Sequence, residues 1–144
     1  DGELNASWKK LAKELKVDGS CIWYGWVDKV LANELYKIAH VFCITSISDL
    51  TSTVTLEALS YSLPIIYLDH CGFSHVVNDS CGIKINVSNP KKASIEFSKA
   101  LEKINEDENL RQNLSEGALL RAKDFSWESK IDRLNIIYNE LLKD

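Results

Sequence analysis

Residues 49–69 read DLTSTVTLEALSYSLPIIYLD, and this stretch places two carboxylates on either side of a run of small hydroxyl residues. Asp49 precedes the expected start of a helix, and Glu57 lies about two turns into it. Three hydroxyl residues fall at the first turn: Thr51, Ser52 and Thr53. A helix that begins there would present unpaired N–H groups and the positive end of its dipole to an anion. The stretch therefore predicts a nucleotide or sugar-phosphate ligand.

Short apolar segments alternate with helix-period segments on both sides of this stretch. The spacing predicts strands over 21–24, 41–44, 64–68 and 82–87. Helices are expected over 4–15, 30–39 and 52–62, with a short helix or turn at 74–78, and then over 90–104, 106–124 and 126–142. Because parallel strands need long crossover connections, this alternation predicts an α/β fold, a Rossmann-like parallel sheet with flanking helices.

Composition limits the function classes. The 144 residues suit a single domain spanning 1–144, and 45% apolar with 26% charged residues is ordinary for a globular protein. The net charge is −4 and the basic residues are scattered, which argues against a nucleic-acid partner. The apolar stretches are far shorter than the roughly 20 residues of a membrane span. The sequence itself therefore predicts a soluble domain.

Neither the cysteines nor the histidines indicate a metal site. The four cysteines contain no C-x-x-C pair, and the three histidines do not combine with them at zinc-ligand spacing. We therefore expect reduced, structural thiols and no metal. The four tryptophans are expected to pack in the core or between domains: Trp8, Trp23, Trp26 and Trp127.

The topology gives a position for the ligand. Open α/β sheets bind ligands at the carboxyl ends of their strands, and residues 49–53 follow the strand expected at 41–44. Two carboxylates eight positions apart also occur in ordinary helices, and a Thr/Ser cluster is a common helix cap. From the residues alone, a purely structural role for these side chains therefore stays open.

Six motifs then occur in a fixed order. They are DG at 1–2, WYGWV at 23–27, LYKIAHVF at 35–42, Asp49 and Glu57 separated by seven residues, LPII at 63–66, and FSW at 125–127. In this order they resemble motifs of the carboxyl-terminal, donor-binding domain of the GT-B retaining glycosyltransferases of the large group 1 family, also called family 4. The resemblance extends over the whole chain.

This resemblance implies a fold and an activity. The fold would be the carboxyl-terminal half of a GT-B fold, truncated at its amino terminus, because the family's domain normally begins with a strand, a basic pair and a helix ahead of the segment where this chain starts. The absence of Met likewise predicts a fragment of a longer protein. The activity would be transfer of a sugar from a nucleotide-sugar donor to an acceptor, with retained anomeric configuration and without a cofactor or an obligatory metal. A UDP-sugar is expected rather than a GDP-sugar, and the pathway would be bacterial polysaccharide or glycoconjugate synthesis.

The resemblance also implies partners and a location. The acceptor would bind to a missing amino-terminal domain, toward which the terminal helix at 126–144 would pack. The full-length enzyme would be cytoplasmic, with peripheral association at the inner face of the membrane. This chain alone would be inactive, because the family's basic pair that neutralises the diphosphate precedes the segment where the chain starts.

Roles for single residues are carried over by position. Glu57 would accept hydrogen bonds from the ribose hydroxyls, and Asp49 would lie near the donor sugar or the reacting centre; these two form the expected catalytic set. The other donor-binding residues are Thr51, Ser52 and Thr53 at the diphosphate, and Val27 and Asp28 beside the base.

The chain departs from the family pattern at several positions. Asp49 replaces the first Glu, residues 49–52 replace the Gly-rich E-G-F-G turn, and Ser62 replaces the glycine of G-x-P. His75 stands where the family often has a Glu. Asp69 either caps a loop or lines the sugar pocket. Two other interpretations remain open: a non-catalytic, flavodoxin-like interaction or signalling module, and a degenerate sugar-binding domain.

Overall fold

The structure, a computed structural model, describes residues 2–50 and 53–142. The chain divides into two compact units, Asp1–Leu35 and Tyr36–Asp144. In the order of the chain, the helices and strands are α1 (Asn5–Glu14), α2 (Lys29–Ile38), β1 (Phe42–Ile44), α3 (Thr53–Ser60), β2 (Ile65–Leu68), α4 (Phe73–Val76), β3 (Gly82–Ile85), α5 (Pro90–Glu106), α6 (Glu108–Lys123) and α7 (Trp127–Leu141). A 3₁₀ turn at Asp18–Ser20 follows α1.

The first unit contains α1, the 3₁₀ turn and the start of α2. Apolar residues recur at helical spacing along α1 as predicted, yet Ala12 is the only buried residue among the described positions 2–35. Asp28 begins α2, since its side chain accepts a hydrogen bond from the backbone N–H of Leu31 at 2.8 Å. The helices of this unit are therefore specified locally, by spacing and by capping.

One expectation from the sequence pattern is wrong, and the core alternative of another is not met. Residues 21–24 are not a strand, because none of them joins the ladder of the described sheet, and Ile22 is 77% exposed. β-branched and aromatic residues favour a strand, but a strand also needs a hydrogen-bonded neighbour. The tryptophans do not lie in the core, with Trp26 at 81% and Trp127 at 80% exposure, whereas their expected packing between domains stays a prediction.

Among the described residues, the sheet of the second unit has three parallel strands in the order β1-β2-β3. Phe42 pairs with Ile65, and Ile65 pairs with Gly82 on the other side. All four residues of β2 are buried, as expected of a central strand covered on both faces. The α/β class and the parallel sheet with flanking helices are confirmed.

Each face of the sheet carries its own hydrophobic layer. Ile65 and Tyr67 point into a layer with α3 and α4, whereas Ile66 and Leu68 point into a layer with α5. The helix α6 contributes to both layers. Its Leu110 and Leu114 join the α5 layer, and its Ala118 and Ala122 join the α3 layer.

Capping residues fix the starts of the later helices. Asn89 caps α5 ahead of Pro90, Asp107 caps α6, and Ser126 caps α7 by accepting from the N–H of Ser129 at 3.2 Å. Pro is favoured at a first helical position because its missing N–H would be unpaired there. These starts agree with the sequence predictions to within two residues.

The backbone is constrained at two positions, by a positive φ at Ser62 and by a close approach to a neighbouring segment at Gly117. Ser62 has a φ of 60°, in the left-handed region that favours glycine, and its carbonyl accepts from the Ser115 hydroxyl at 2.6 Å. The departure from G-x-P therefore keeps the backbone conformation that glycine adopts readily. Gly117 lies on α6 against the backbone of Ser80, where a Cβ would overlap the Ser80 carbonyl oxygen.

Candidate functional site at the strand ends

The loops that leave β1 and β2 lie side by side at the carboxyl edge of the sheet. The backbone N–H of Asp49 donates to Cys71 Sγ at 3.2 Å, which joins the two loops across 22 positions of sequence. Asp49 is half-buried. Adjacent parallel strands end at the same edge, so the topology brings these loops together.

The loop that leaves β2 is conformationally constrained at Cys71. Cys71 has a φ of 56°, which an L residue adopts at a cost of about 1–2 kcal/mol. Its sulfur also lies 3.0 Å from Nδ1 of His70. Together with the Asp49 contact, these interactions fix the sulfur between the two loops, and neither His70 nor Cys71 was among the residues the sequence singled out as a site.

Two cavities border the loop that carries Asp49. One, of about 440 Å³, is lined by residues of both loops: Ile47, Ser48, Asp49, Leu50, His70 and Cys71. The other, of about 780 Å³, is mostly apolar and extends from Ile47 and Leu68 to Phe97 of α5. Ile47 belongs to both cavities, so both of them reach the loop that carries Asp49.

Glu57 lies in the second turn of α3, as predicted, and is half-buried. The Tyr36 hydroxyl donates to its Oε2 at 3.4 Å. Burial, and after it the negative charge of Glu57, raises the pKa of Tyr36, so this hydroxyl keeps its proton and remains a donor. The Tyr36 ring is stacked on Tyr61, with centroids 5.3 Å apart, and is tilted against Phe42 at 6.0 Å. Packing therefore positions the hydroxyl that contacts Glu57.

Asp69 follows the last residue of β2 and has structural contacts. It accepts a hydrogen bond from the Ser74 hydroxyl of α4, and Lys84 Nζ of β3 lies 3.5 Å from its other oxygen. The Ser74 bond, and then the Lys84 charge, lower the pKa of Asp69, so it is a carboxylate at neutral pH. Of the two roles considered for Asp69, the structure shows the loop-capping contact.

The remaining predicted residues are distributed as follows. Thr53 is the first residue of α3 and is exposed, whereas Thr51 and Ser52 lie outside the described residues. Val27 is half-buried and Asp28 caps α2, both within the first unit. The roles expected for these five residues at the diphosphate and the base stay predictions.

Residues 2–50 and 53–142 contain neither a metal-ligand cluster nor a membrane-spanning helix. No group of three or more His, Cys, Asp or Glu side chains in this part of the chain could hold a metal ion. Within the same ranges, no helix has both the length and the apolar character that crossing a bilayer requires. All four cysteines are free thiols; only Cys81 is buried, while Cys21 and Cys43 are exposed.

Comparison with known proteins places the chain in a family. A family model described as glycosyl transferases group 1 matches residues 1–121. The chain belongs to this family. The group 1 membership confirms the resemblance read from the six motifs, and it favours a glycosyltransferase domain over a signalling module. No curated protein sequence matches significantly.

Solved structures share the fold of this group 1 domain. They include sucrose-phosphate synthase from Thermosynechococcus elongatus, with 19% identity, a TM-score of 0.77 and 99% of this chain covered. WaaG, a glycosyltransferase involved in lipopolysaccharide biosynthesis, shows 24% identity and a TM-score of 0.72 over 82% of this chain. The pneumococcal O-GlcNAc transferase GtfA, solved with UDP and GlcNAc, shows 15% identity and a TM-score of 0.78 over 99%.

This chain corresponds to only part of each of these proteins. The group 1 chain spans 35%, 31% and 28% of these three proteins, about a third of each. Its sheet and helices match the carboxyl-terminal Rossmann-like domain of GT-B glycosyltransferases, as the sequence motifs predicted.

Proposed function

We propose that this chain binds the nucleotide-sugar donor of a retaining glycosyltransferase. The observation that carries the proposal is Glu57, a half-buried carboxylate on α3 that Tyr36 contacts from packed aromatic surroundings. The helix that bears it follows the loop with Asp49, at the sheet edge where α/β proteins bind ligands. A half-buried carboxylate with a positioned donor beside it suits recognition of neutral hydroxyl groups.

In this proposal Glu57 accepts hydrogen bonds from the ribose hydroxyls. An ionised carboxylate offers about four acceptor positions, so one group can bind the Tyr36 hydroxyl and ribose hydroxyls together. Charge-assisted hydrogen bonds of this kind are about twice as strong as neutral ones. The Tyr36 hydroxyl would then hold the carboxylate in a fixed orientation before the ligand arrives.

The donor sugar and the diphosphate would lie nearer the start of α3. Asp49 would face the sugar from the loop after β1, next to the cavity that it lines with His70 and Cys71. Thr51, Ser52 and Thr53 would offer N–H and hydroxyl groups to the diphosphate, whose charge the helix dipole favours. Val27 and Asp28 would flank the base.

The donor is proposed to be a UDP-sugar, handled without a metal ion or another cofactor. GtfA, which shares the fold, was solved with UDP and GlcNAc, and this supports UDP over GDP as the first nucleotide to test. WaaG is involved in lipopolysaccharide biosynthesis, which supports a role in bacterial polysaccharide or glycoconjugate synthesis. A cytoplasmic site at the inner face of the membrane, with peripheral association, would fit such a role.

Catalysis would need more than this chain. A second domain would bind the acceptor, with the helix α7 packed toward it, and a basic pair would neutralise the departing diphosphate. Because stabilisation of the leaving group dominates such reactions, the chain alone is expected to bind donor without turning it over.

Isothermal titration of UDP, GDP and ADP into the chain tests this proposal. We expect weak, saturable binding of UDP, loss of binding in Glu57→Ala, and a smaller loss in Tyr36→Phe, which keeps the packed ring and removes only the hydroxyl. Each lost charge-assisted contact should weaken binding roughly tenfold.

Glu116→Ala is the matched control, because Glu116 is an exposed glutamate of α6. It should bind UDP as the unchanged chain does. Equal affinity of Glu57→Ala and Glu116→Ala for UDP would contradict the assignment of Glu57. Absence of any nucleotide binding to the unchanged chain would contradict the donor-site proposal for this chain.

A further inference from the structure

A positively charged cavity lies where α6 is joined to α7. It measures about 430 Å³, and three cations line it together with one carboxylate: Arg121, Lys130, Arg133 and Asp124. Its formal charge is therefore +2, with His75 counted as neutral, on a chain whose net charge is −4. It shares no lining residue with the cavity at Asp49.

Arg121 forms the fixed wall of this cavity. Its Nε donates to the Val76 carbonyl at 2.8 Å, its Nη2 donates to the His75 carbonyl at 2.7 Å, and its Nη1 pairs with Asp124 at 2.8 Å. The two carbonyls belong to α4, so this guanidinium connects α4 to the end of α6. Its position is determined by the fold and needs no ligand.

Lys130 and Arg133 differ from Arg121 because the fold does not neutralise them. Among the described residues, neither forms an ion pair with a carboxylate. Lys130 Nζ is held 4.7 Å from the centre of the Phe125 ring, and the Arg121 guanidinium is also 4.7 Å from it. The aromatic ring thus holds the Lys130 ammonium beside the Arg121–Asp124 pair, and its positive charge remains available to an anion.

We infer that this cavity binds a phosphate group, carried by a free phosphorylated metabolite or by a lipid headgroup. The formal charge of +2 matches a phosphate monoester, which carries nearly two negative charges at neutral pH. Arg133 supplies the planar fork that suits phosphate oxygens, and Lys130 supplies a compact ammonium beside it. This site is separate from the donor site and does not depend on it.

Titration of inorganic phosphate into the chain, followed by ³¹P NMR at low salt, tests the inference. The double variant Lys130→Gln/Arg133→Gln should weaken saturable phosphate binding about tenfold or more, because it removes two charge-assisted contacts. Its control is Lys91→Gln/Lys99→Gln, which changes the net charge equally at exposed positions of α5. Equal weakening by both double variants, or no saturable binding by the unchanged chain, would overturn the site.

A gain of binding gives a second, independent readout. Asp124→Asn removes the one carboxylate among the described residues that line the cavity, while both carbonyl contacts of Arg121 remain. Phosphate should therefore bind several-fold more tightly to this variant. Unchanged or weaker binding, with an unaltered circular dichroism spectrum, would count against the cavity as the place of binding.

Two further experiments distinguish a free metabolite from a lipid headgroup as the source of the phosphate group. Displacement of inorganic phosphate by glucose 6-phosphate, without sedimentation of the chain with vesicles, would assign a free metabolite. Sedimentation with vesicles of phosphatidic acid in phosphatidylcholine, lost in the Lys130→Gln/Arg133→Gln variant, would assign a lipid headgroup. Either result supports the site, and independence of both from Lys130 and Arg133 would overturn it.

Discussion

The two units of this chain have similar apolar patterns but very different burial. In the described positions 2–35, apolar residues recur along α1 and only Ala12 is buried, whereas β2 of the second unit is buried at every residue. The difference shows that an amphipathic pattern specifies a helix and its apolar side, while burial requires a surface that covers that side. Local sequence thus determines helices in both units, and among the described residues only those of the second unit form packed hydrophobic layers.

The largest expected difference between the units is in amide hydrogen exchange. The amides of Ile65–Leu68 should exchange at least about a thousandfold more slowly, relative to the intrinsic rates, than those of Asn5–Glu14, a difference of roughly 4 kcal/mol. Exchange measured residue by residue by NMR checks this. Similar protection in α1 and β2 would break the comparison.

Truncation of one isoleucine in each unit should differ nearly as much. Ile66 is fully buried in β2, so Ile66→Ala should lower the free energy of unfolding by about 2–5 kcal/mol. Ile22 is 77% exposed, and Ile22→Ala should change it by no more than about 0.5 kcal/mol. Urea denaturation of both variants measures the pair, and a cost above about 1 kcal/mol for Ile22→Ala would reveal burial in the first unit.

Substituting alanine at two glycines should change the free energy of unfolding in opposite directions. Gly117→Ala should destabilise the chain by about 1–3 kcal/mol, despite alanine's higher helix propensity, because the added Cβ overlaps the Ser80 carbonyl oxygen. Nothing lies within 4 Å of a Cβ at Gly19, so Gly19→Ala should be neutral or stabilise by up to about 1 kcal/mol. Thermal unfolding of the two variants checks the direction of each change. A change in the same direction for both would show that the backbone of Ser80 moves away easily from residue 117 of α6.

The smallest expected effect concerns two residues with positive φ, one in each unit. Ser62 has a φ of 60° between α3 and β2, and Ser62→Gly should raise the free energy of unfolding by about 1 kcal/mol by removing a left-handed Cβ. Lys16 has a φ of 58° after α1. Replacing it by glycine would remove the same backbone strain, but next to a helix that is stabilised only locally. Lys16→Gly should therefore slow exchange in α1 without moving the urea midpoint. A midpoint shift as large as that of Ser62→Gly would show that α1 unfolds together with the second unit.

The elements that could be predicted from sequence are those whose cause is local. The helix starts at Asn89-Pro90 and at Ser126 followed by Ser129 were predicted to within two residues, because a cap acts within one turn. The order of strands and helices also followed from local periodicity. The strand expected at 21–24 failed because its pairing depends on a neighbour that spacing does not reveal.

The candidate site likewise has features that the sequence predicts and features that depend on tertiary structure. Asp49 could be placed at the strand ends by topology, since the carboxyl ends of parallel strands share an edge. The contact of Tyr36 with Glu57 crosses 21 positions and depends on how α2 ends near α3, so no spacing rule predicts it. The sulfur of Cys71 beside Asp49 likewise follows from tertiary structure, which no local spacing predicts.

The position of α6 has a consequence for how the second unit melts. Leu114 belongs to the layer on one face of the sheet and Ala118, one turn later, belongs to the layer on the other face. An intermediate with a single finished layer would leave part of this helix exposed to water, so loss of either layer loosens the same element. The second unit should consequently unfold as one cooperative block, with equal calorimetric and van't Hoff enthalpies.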